Sequence, residues 1–483
     1  MTAPILVGID IGTTGLKAVA LDSAGRLLRE QAARYPTRLA GRAAEQDAPD
    51  WWRAACHALP TVVTDTPVLG VAITSQAPTL VAVDTTGQPC GPALTWADRR
   101  ATREAREIAA IAEGRNGPDP YHGTAKLLWW RRHRHDLDTA HAVLAANGYM
   151  VRRLTGEYTL DDSTAALMQA WDDGFPPALA DAGVPVGSLP DAVPCLTLVG
   201  KVTAEAAQHT GLPADTPVAA GGIDAVGAAL EAGVLAPGDP TVEMTGFSTV
   251  TVQAAPRGTR IPGMIHSRHC LPDTDLLLSA QTSTGAVKDW LCRLTNRTPA
   301  DCDDQLPADR PGRLLLVPSF AGERTPTWAT TARGAVAGLD LDVTPGDLML
   351  AVYEGTALAL RECLDILGRH TPSSLTLRCV GGGARSVAWL HVKADVLGRP
   401  VEVPASGHGA AVGAGLLAGL AVGHFTTAGD LRSLTAGTRA RYLPDPGHHA
   451  AYTTRLELFR QLRDSLPDLD DALVRPGEQE GCP

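Results

Sequence analysis

An aspartate closes the apolar run Ile5 to Asp10, and the residues that follow, Gly12-Thr13-Thr14-Gly15, are small or hydroxylated. A carboxylate at the end of a buried strand, beside backbone able to curl tightly, suits a phosphate and its cation, with the threonine hydroxyls and Lys17 as further donors. An ordinary hairpin turn would look the same. The second half of the chain changes that balance. Thr241 to Met244 is another strand-like run, and Thr245-Gly246-Phe247-Ser248 repeats the glycine and hydroxyl loop. Two matching loops from two half-chains can clamp one triphosphate from opposite sides. There is no GxxxxGK[ST], so a P-loop is excluded as the source of phosphate binding. Gly381-Gly382-Gly383-Ala384 stands between a strand and a helix, where a flat group or a phosphate can approach backbone and helix N-terminus. It lacks GxGxxG spacing, which leaves a dinucleotide site as the weaker reading. Asp224 follows Gly221-Gly222 at a helix start within an otherwise apolar stretch. It is either an N-cap or a general base in a dry cleft.

The elements that must position these groups follow from periodicity and turn residues. Ile5 to Asp10 and Leu16 to Leu21 read as strands around the first loop, and Val68 to Ile73 and Thr79 to Val83 as two more. Asp47 and Pro49 open a helix over Trp51-Trp52. Helical patterns dominate from Arg99 through Ala170, and Phe175 to Leu198, rich in Pro and Gly, reads as surface connection. Pro237-Gly238-Asp239-Pro240 marks a domain boundary, giving domains 1–237 and 238–465 and a solvated acidic tail at 466–483. Thr249 to Gln253 and Leu375 to Val380 are strands of the second half, and Ser283 to Arg293 and Pro345 to Gly368 its helices. Gly409 to Gly423 reads as a buried helix, too short to span a bilayer.

Hydrophobic residues make up 44% and charged residues 20% of the 483, an ordinary globular composition. The net charge of −11 has the wrong sign for a chain that coats nucleic acid or an anionic membrane. Neither nucleic acid nor membrane is expected as a partner. Nine scattered cysteines without a CxxC pair argue against a disulfide framework or a zinc knuckle, and the start shows no secretory pattern, so a cytoplasmic protein is expected.

A set of motifs, in order and spacing, resembles the FGGY sugar kinases, the family that includes xylulokinase, gluconokinase and glycerol kinase. They are Gly8-Ile9-Asp10-Ile11-Gly12-Thr13-Thr14, Glu45-Gln46-Asp47 with Trp51-Trp52, Trp96-Ala97-Asp98-Arg99-Arg100, Lys126-Leu127-Leu128-Trp129, Leu154-Thr155-Gly156-Glu157, Gly221-Gly222-Ile223-Asp224-Ala225, Gly322-Glu323-Arg324-Thr325-Pro326, Glu354-Gly355 and Gly381-Gly382-Gly383-Ala384. The resemblance implies an α/β fold of two ribonuclease-H-like, actin-like ATPase domains with ATP and a small sugar or polyol in the cleft between them. It implies Asp224 as the base that deprotonates the sugar hydroxyl, and Asp10 with Asp224 as holders of Mg²⁺. Gly12, Thr13, Thr14 and Lys17 would meet the phosphates from one domain, and Thr245, Gly246 and Ser248 from the other. Gly381, Gly382, Gly383 and Ala384 would line the adenosine. Gln76, Ala77, Pro78 and Asp98 would face the sugar, Asp98 being equally an ion-pair partner of Arg100 at the cleft floor. Glu323 and Arg324 are expected to hold a turn, and Trp51, Trp52, Trp129 and Trp130 to pack.

Two departures stand out against the family pattern. The second loop has Phe247 where Gly-Thr-Ser is usual. Ser75-Gln76-Ala77-Pro78-Thr79 replaces the Gly-Gln-Met-His-Gly of xylulokinases, so an imidazole donor is missing. A catalytically silent sugar- and nucleotide-binding relative is the alternative, and a chaperone-like or actin-like ATPase a third reading. The sugar, the hydroxyl phosphorylated and the oligomeric state, a homodimer included, are left open by the sequence.

Overall fold

The computed structural model describes residues 3–111, 117–405, 409–435 and 437–473. Its frame is two mixed sheets, one from each half of the chain, using one strand plan twice. In the first sheet β1 (Ile5–Ile11) pairs antiparallel with β2 (Gly15–Leu21), and β2 with β3 (Leu27–Arg34). On its other side β1 runs parallel to β4 (Val68–Ser75), beyond which lie β5 (Leu198–Lys201) and β6 (Pro217–Ala219) in the spatial order β5-β6-β4-β1-β2-β3. The second sheet takes β7 (Thr241–Thr245), β8 (Thr249–Pro256), β9 (Ile265–Arg268), β10 (Thr274–Gln281), β11 (Leu377–Gly381), β12 (Val401–Pro404) and β13 (Thr438–Tyr442) in the order β9-β10-β8-β7-β11-β12-β13. Again the first strand is antiparallel to the next and parallel to one that arrives after a long crossover. The molecule is a pair of ribonuclease-H-like units, the actin-like arrangement that the family resemblance implied.

β1 is apolar on both faces because both faces are covered. One side meets α1 (Ala48–Val63), which turns Trp51, Ala55, Leu59 and Val62 inward. Asp47 occupies the N-cap position of α1 without bonding a helix N–H; its carboxylate instead pairs with Arg38, at 3.0 Å through Oδ1. The other side meets a helix from the far end of the chain. Of α2 (Asp224–Ala232), α3 (Thr284–Thr295), α4 (Pro345–His370), α5 (Val387–Leu397) and α6 (Ala410–Ala421), it is α6 that lies on β1 and β4 and against α2. Glycines make that approach possible: a Cβ on Gly8 would stand 2.2 Å from the Ala411 carbonyl oxygen, and one on Gly413 would stand 1.8 Å from that of Gly227. The packing unit around the first sheet therefore includes a helix from beyond the boundary expected at 237/238. One apolar cluster runs from Leu6 and Ala72 through Val226 and Leu230 of α2 and Leu416 of α6 to Val242 and Leu276 of the second sheet. α2 and α6 are thus the shared spine of the two halves.

Other expectations change in detail. The helical stretch expected over Arg99 to Ala170 contains the strand Ala142–Ala145, which pairs with Leu80–Val83 in a separate five-stranded sheet. Its alanines carry little preference of their own, and the long-range pairing decides. Within the expected solvated tail, Pro467–Leu473 is a helix with Asp470 buried; the rest of that tail lies outside the described residues. Among the described residues no helix is long and apolar enough to cross a membrane.

Candidate active site

β1 and β7, the two equivalent strands, end at the same cleft. A cavity of about 250 Å³ opens there, lined from the first half by Thr13, Ala77, Trp96, Tyr121 and Asp224 and from the second by Gly246, Ser248, Val250 and Arg324. Asp10 stands opposite Lys17 across β1 and β2 and accepts a 2.8 Å hydrogen bond from Thr74 Oγ1 on β4. Burial raises its carboxyl to about 6, against the opposing pull of Thr74 and Lys17. Asp224 is the first residue of α2; the N-cap position belongs to Ile223, and among the described residues the Asp224 carboxylate accepts only the N–H of Ala225, at 2.8 Å. It does not close the helix end in the N-cap manner. Burial, then the Asp10 charge, raises it to about 7. Two carboxyls whose charge burial disfavours, Asp224 being raised further by Asp10, are a hard-oxygen donor set suited to a divalent cation, which would relieve both.

The first loop is shaped by side chains behind it. Tyr35 Oη donates to the Gly12 carbonyl at 2.7 Å, and Gln46 Nε2 and Thr37 Oγ1 each donate to that of Thr13 at 2.7 Å. Trp96 Nε1 donates to Thr13 Oγ1 at 3.1 Å, and the Thr14 carbonyl accepts the Tyr35 N–H. In the second loop Gly246 N–H bonds the Ser248 carbonyl at 2.9 Å, while Thr245 Oγ1 lies 2.8 Å from Thr249 Oγ1. The Phe247 side chain is 66% exposed. Gly381, with φ of +82°, lies so close to Thr245 that a Cβ would meet its carbonyl oxygen at 2.7 Å, and Gly383 packs as tightly on the Thr245 side chain. Both glycines are therefore demanded by the neighbouring loop; Gly381 and Gly382 are exposed, whereas Gly383 and Ala384 are buried behind them. The N-terminus of α3 closes the group, where a Cβ on Gly285 would come 1.9 Å from the Gly246 carbonyl oxygen.

The FGGY family of carbohydrate kinases matches the chain in both of its domains, the N-terminal over residues 5–230 and the C-terminal over 248–422. The chain belongs to that family. It is a carbohydrate kinase, a phosphotransferase that acts on a small-molecule sugar, and ATP use comes with the family. The chain is 30% identical to the xylulose kinase of Escherichia coli over 95% of its own length and 99% of that protein's. It is 29% identical to the erythritol kinase of Brucella abortus, covering 97% and 98% of the two chains. The crystal structure of xylulose kinase from Rhodospirillum rubrum superposes with a TM-score of 0.85 at 29% identity, over 97% of this chain and all of that one.

In this carbohydrate kinase the expected site residues separate into groups. Thr13, Ala77, Asp224, Gly246 and Ser248 line the cavity, and Asp10 stands beside Asp224. Gln76 lies behind it, donating to Gln46 Oε1 at 2.6 Å while its own Oε1 is buried without a partner among the described residues. Pro78 is outside the lining. Asp98 is also outside it: buried, it pairs with Arg100 at 2.7 Å and accepts the Ala44 N–H at 3.0 Å, the ion-pair alternative of the two readings. The Lys17 ammonium lies 3.9 Å from Glu30 on β3, on the strand rather than the loop. Trp51, Trp52 and Trp130 are buried in packing, and Trp129 stacks with Arg100 at 4.3 Å.

Sequence reasoning passed over Trp96, Tyr121 and Arg324. Trp96 and Arg324 belong to motifs already singled out, so their signal was present. Tyr121 carried none. Glu323 does hold the expected turn, its N–H bonding the Ala329 carbonyl at 2.8 Å and its carboxyl accepting from Ser319 at 3.1 Å. Arg324 next to it also holds the turn, its carbonyl accepting the Trp328 N–H, while its side chain reaches the cavity.

Proposed function

We propose that this kinase transfers the γ-phosphoryl group of ATP to a hydroxyl of a short ketose or polyol, xylulose and erythritol being the substrates named for its relatives. The observation that carries the reading is Asp224, a carboxylate held near neutrality at the wall of a cavity shared by both halves. Its ionised form takes the proton of the sugar hydroxyl. The freed oxygen bonds to the γ-phosphorus as the bond from phosphorus to the ADP oxygen breaks, and the proton leaves Asp224 for solvent afterwards. Phosphoryl transfer asks little covalent work of a protein, so position and charge supply most of the effect. Gly12, Thr13 and Thr14 would cradle the phosphates from one side and Thr245, Gly246 and Ser248 from the other, with Gly381 to Ala384 against the nucleoside. Asp10 and Asp224 would hold Mg²⁺, which when bound neutralises charge on the phosphates. Ala77, where xylulokinases carry a Met, leaves room and favours tolerance among sugars.

An ADP-release assay across pentuloses, hexuloses, polyols and sugar acids tests the assignment. Asp224→Asn should retain the fold and ATP binding and lower sugar-dependent turnover by about 10²–10⁴. Wild-type turnover in that variant would remove Asp224 from the chemistry. Release of ADP that no sugar stimulates would remove the sugar from it.

A further inference from the structure

The two loops at the cleft turn their peptide groups the same way. In the first, the Gly12 carbonyl accepts from Tyr35 Oη, and the Thr13 carbonyl accepts from both Thr37 Oγ1 and Gln46 Nε2, each at 2.7 Å. These donors sit behind the loop. Tyr35 belongs to the apolar cluster under α1, Gln46 is buried, and neither they nor Thr37 line the cavity. The Gln46 amide can stand only one way round, because its Oε1 accepts at 3.0 Å from Trp51 Nε1, an atom that only donates. A trans peptide points its N–H opposite to its C=O. With the Gly12 and Thr13 carbonyls tied back, the N–H groups of Thr13 and Thr14 face the cleft, and neither has a hydrogen-bond partner among the described residues.

The second loop reaches the same result with other partners. The Gly246 carbonyl points at Gly285 in α3, where an added Cβ would lie 1.9 Å from the oxygen and 3.1 Å from the carbon. The Phe247 carbonyl accepts the Ala286 N–H at 3.0 Å. The N–H groups of Phe247 and Ser248 therefore face away from α3, which lends no residue to the cavity wall, and they too are without a partner among the described residues. The Thr245 hydroxyl is spent on the buried Glu243 carboxylate. Each loop thus offers two consecutive backbone donors, the concavity that takes a phosphate oxygen. Such donors depend on what fixes the peptide plane and very little on the side chain attached. We infer that Tyr35, Thr37 and Gln46 are positioning residues for the nucleotide phosphates, and that Phe247 serves through its N–H, its exposed side chain leaving phosphate affinity unchanged. The inference rests on the sugar-kinase reading above.

The test is calorimetric titration of the full-length protein with Mg-ADP, beside thermal melts without ligand. Tyr35→Phe and Thr37→Val each remove one hydroxyl at nearly constant shape. Each should weaken Mg-ADP about three- to tenfold, the worth of one hydrogen bond, and the double variant more than either. Thr37→Ser keeps the hydroxyl and should bind as wild type does. A merely structural hydroxyl would lower the melting temperature of its variant and leave Mg-ADP affinity where it was, and that outcome overturns the inference. Phe247→Thr and Phe247→Ala change an exposed side chain and test the second loop even if the Tyr35 and Thr37 variants do not fold. Both should bind Mg-ADP within about twofold of wild type, since the N–H is retained. A shift of more than about fivefold in either would show that the loop binds through its side chain and overturn the inference. Wild-type turnover of a sugar, with Mg-ADP affinity unmoved in Tyr35→Phe and Thr37→Val, sinks the inference alone. The expected losses of Mg-ADP affinity, in a protein whose ADP release no sugar stimulates, sink the kinase reading alone.

Discussion

Asp224 and Asp10 show how burial sets chemistry one residue at a time. Both carboxyls are raised because burial disfavours the charged form, and Asp224 more so because Asp10 adds its own charge. The base must be ionised to work, so kcat/KM for the sugar should fall about tenfold per unit as pH drops below about 7. A bound cation favours the ionised form, which places the break in kcat at lower pH than the break in kcat/KM; coincident profiles would show that nothing positive binds beside Asp224. Stability runs the other way. A carboxyl raised in the folded state holds a proton there that the unfolded chain has already lost, so stability declines as pH rises from about 4 to about 7. Asp224→Asn should therefore melt at higher temperature than wild type at pH 8, with a smaller gain at pH 5, in ligand-free thermal melts. A gain that is the same at both values would separate it from ionisation.

At the scale of elements, α6 is where small residues do what large ones cannot. Gly8→Ala puts a Cβ 2.2 Å from the Ala411 oxygen and 2.3 Å from the Gly415 nitrogen, both backbone atoms that cannot swing aside. The change should destabilise by about 1–3 kcal/mol, the usual cost of overpacking, and lower activity as well, because α6 supports α2 and α2 carries Asp224. Gly368, inside α4, has nothing within 4 Å of its added Cβ, and Gly368→Ala should stabilise by about 0.4–1 kcal/mol. Denaturant midpoints of the two variants should move in opposite directions; a shared direction would mean that contact at the Cβ does not set the sign. The same elements show what could be read from the chain. The strands around both loops and the helix opening at Asp224 were legible because their signals are local: apolar runs cut off by Gly, Asp and Thr. Gly409 to Gly423 was legible as a buried helix, yet nothing in its spacing names the first sheet as the partner. Tyr121 and Arg324 meet only after two distant segments have folded, so no periodicity could announce their contact. The same holds for Ala142–Ala145, whose helical composition yields to its pairing with Leu80–Val83.

The whole molecule holds its two halves together at the cleft rim as well as along the spine. Arg268 on β9 pairs with Asp173 at 3.0 Å, Arg260 pairs with Asp172 at 3.2 Å, and Ser267 Oγ donates to the Ser163 carbonyl at 3.1 Å. Trp328 stacks on His122 with ring centroids 5.4 Å apart. These contacts cross from one half to the other, and closing such a cleft is how many kinases exclude water from the reaction. Asp172 and Asp173 are half or more exposed, and exposed pairs contribute only about 0.2–1 kcal/mol each, so the clasp can bias the closed state without locking it. Asp172→Asn with Asp173→Asn removes both charges while retaining side chains that tolerate the positive φ of 58° at Asp173. Small-angle scattering of the ligand-free double variant should give a larger radius of gyration than wild type, and sugar with ATP should bring the two to the same value. Raising the salt should expand ligand-free wild type toward the variant, since the pairs are screened. Apparent KM should rise by about two- to fivefold with kcat little changed, as closure takes a larger share of the binding energy. Identical scattering from wild type and variant at low salt, with or without ligand, would show that the rim pairs do not govern closure and leave that role to the α2 and α6 spine.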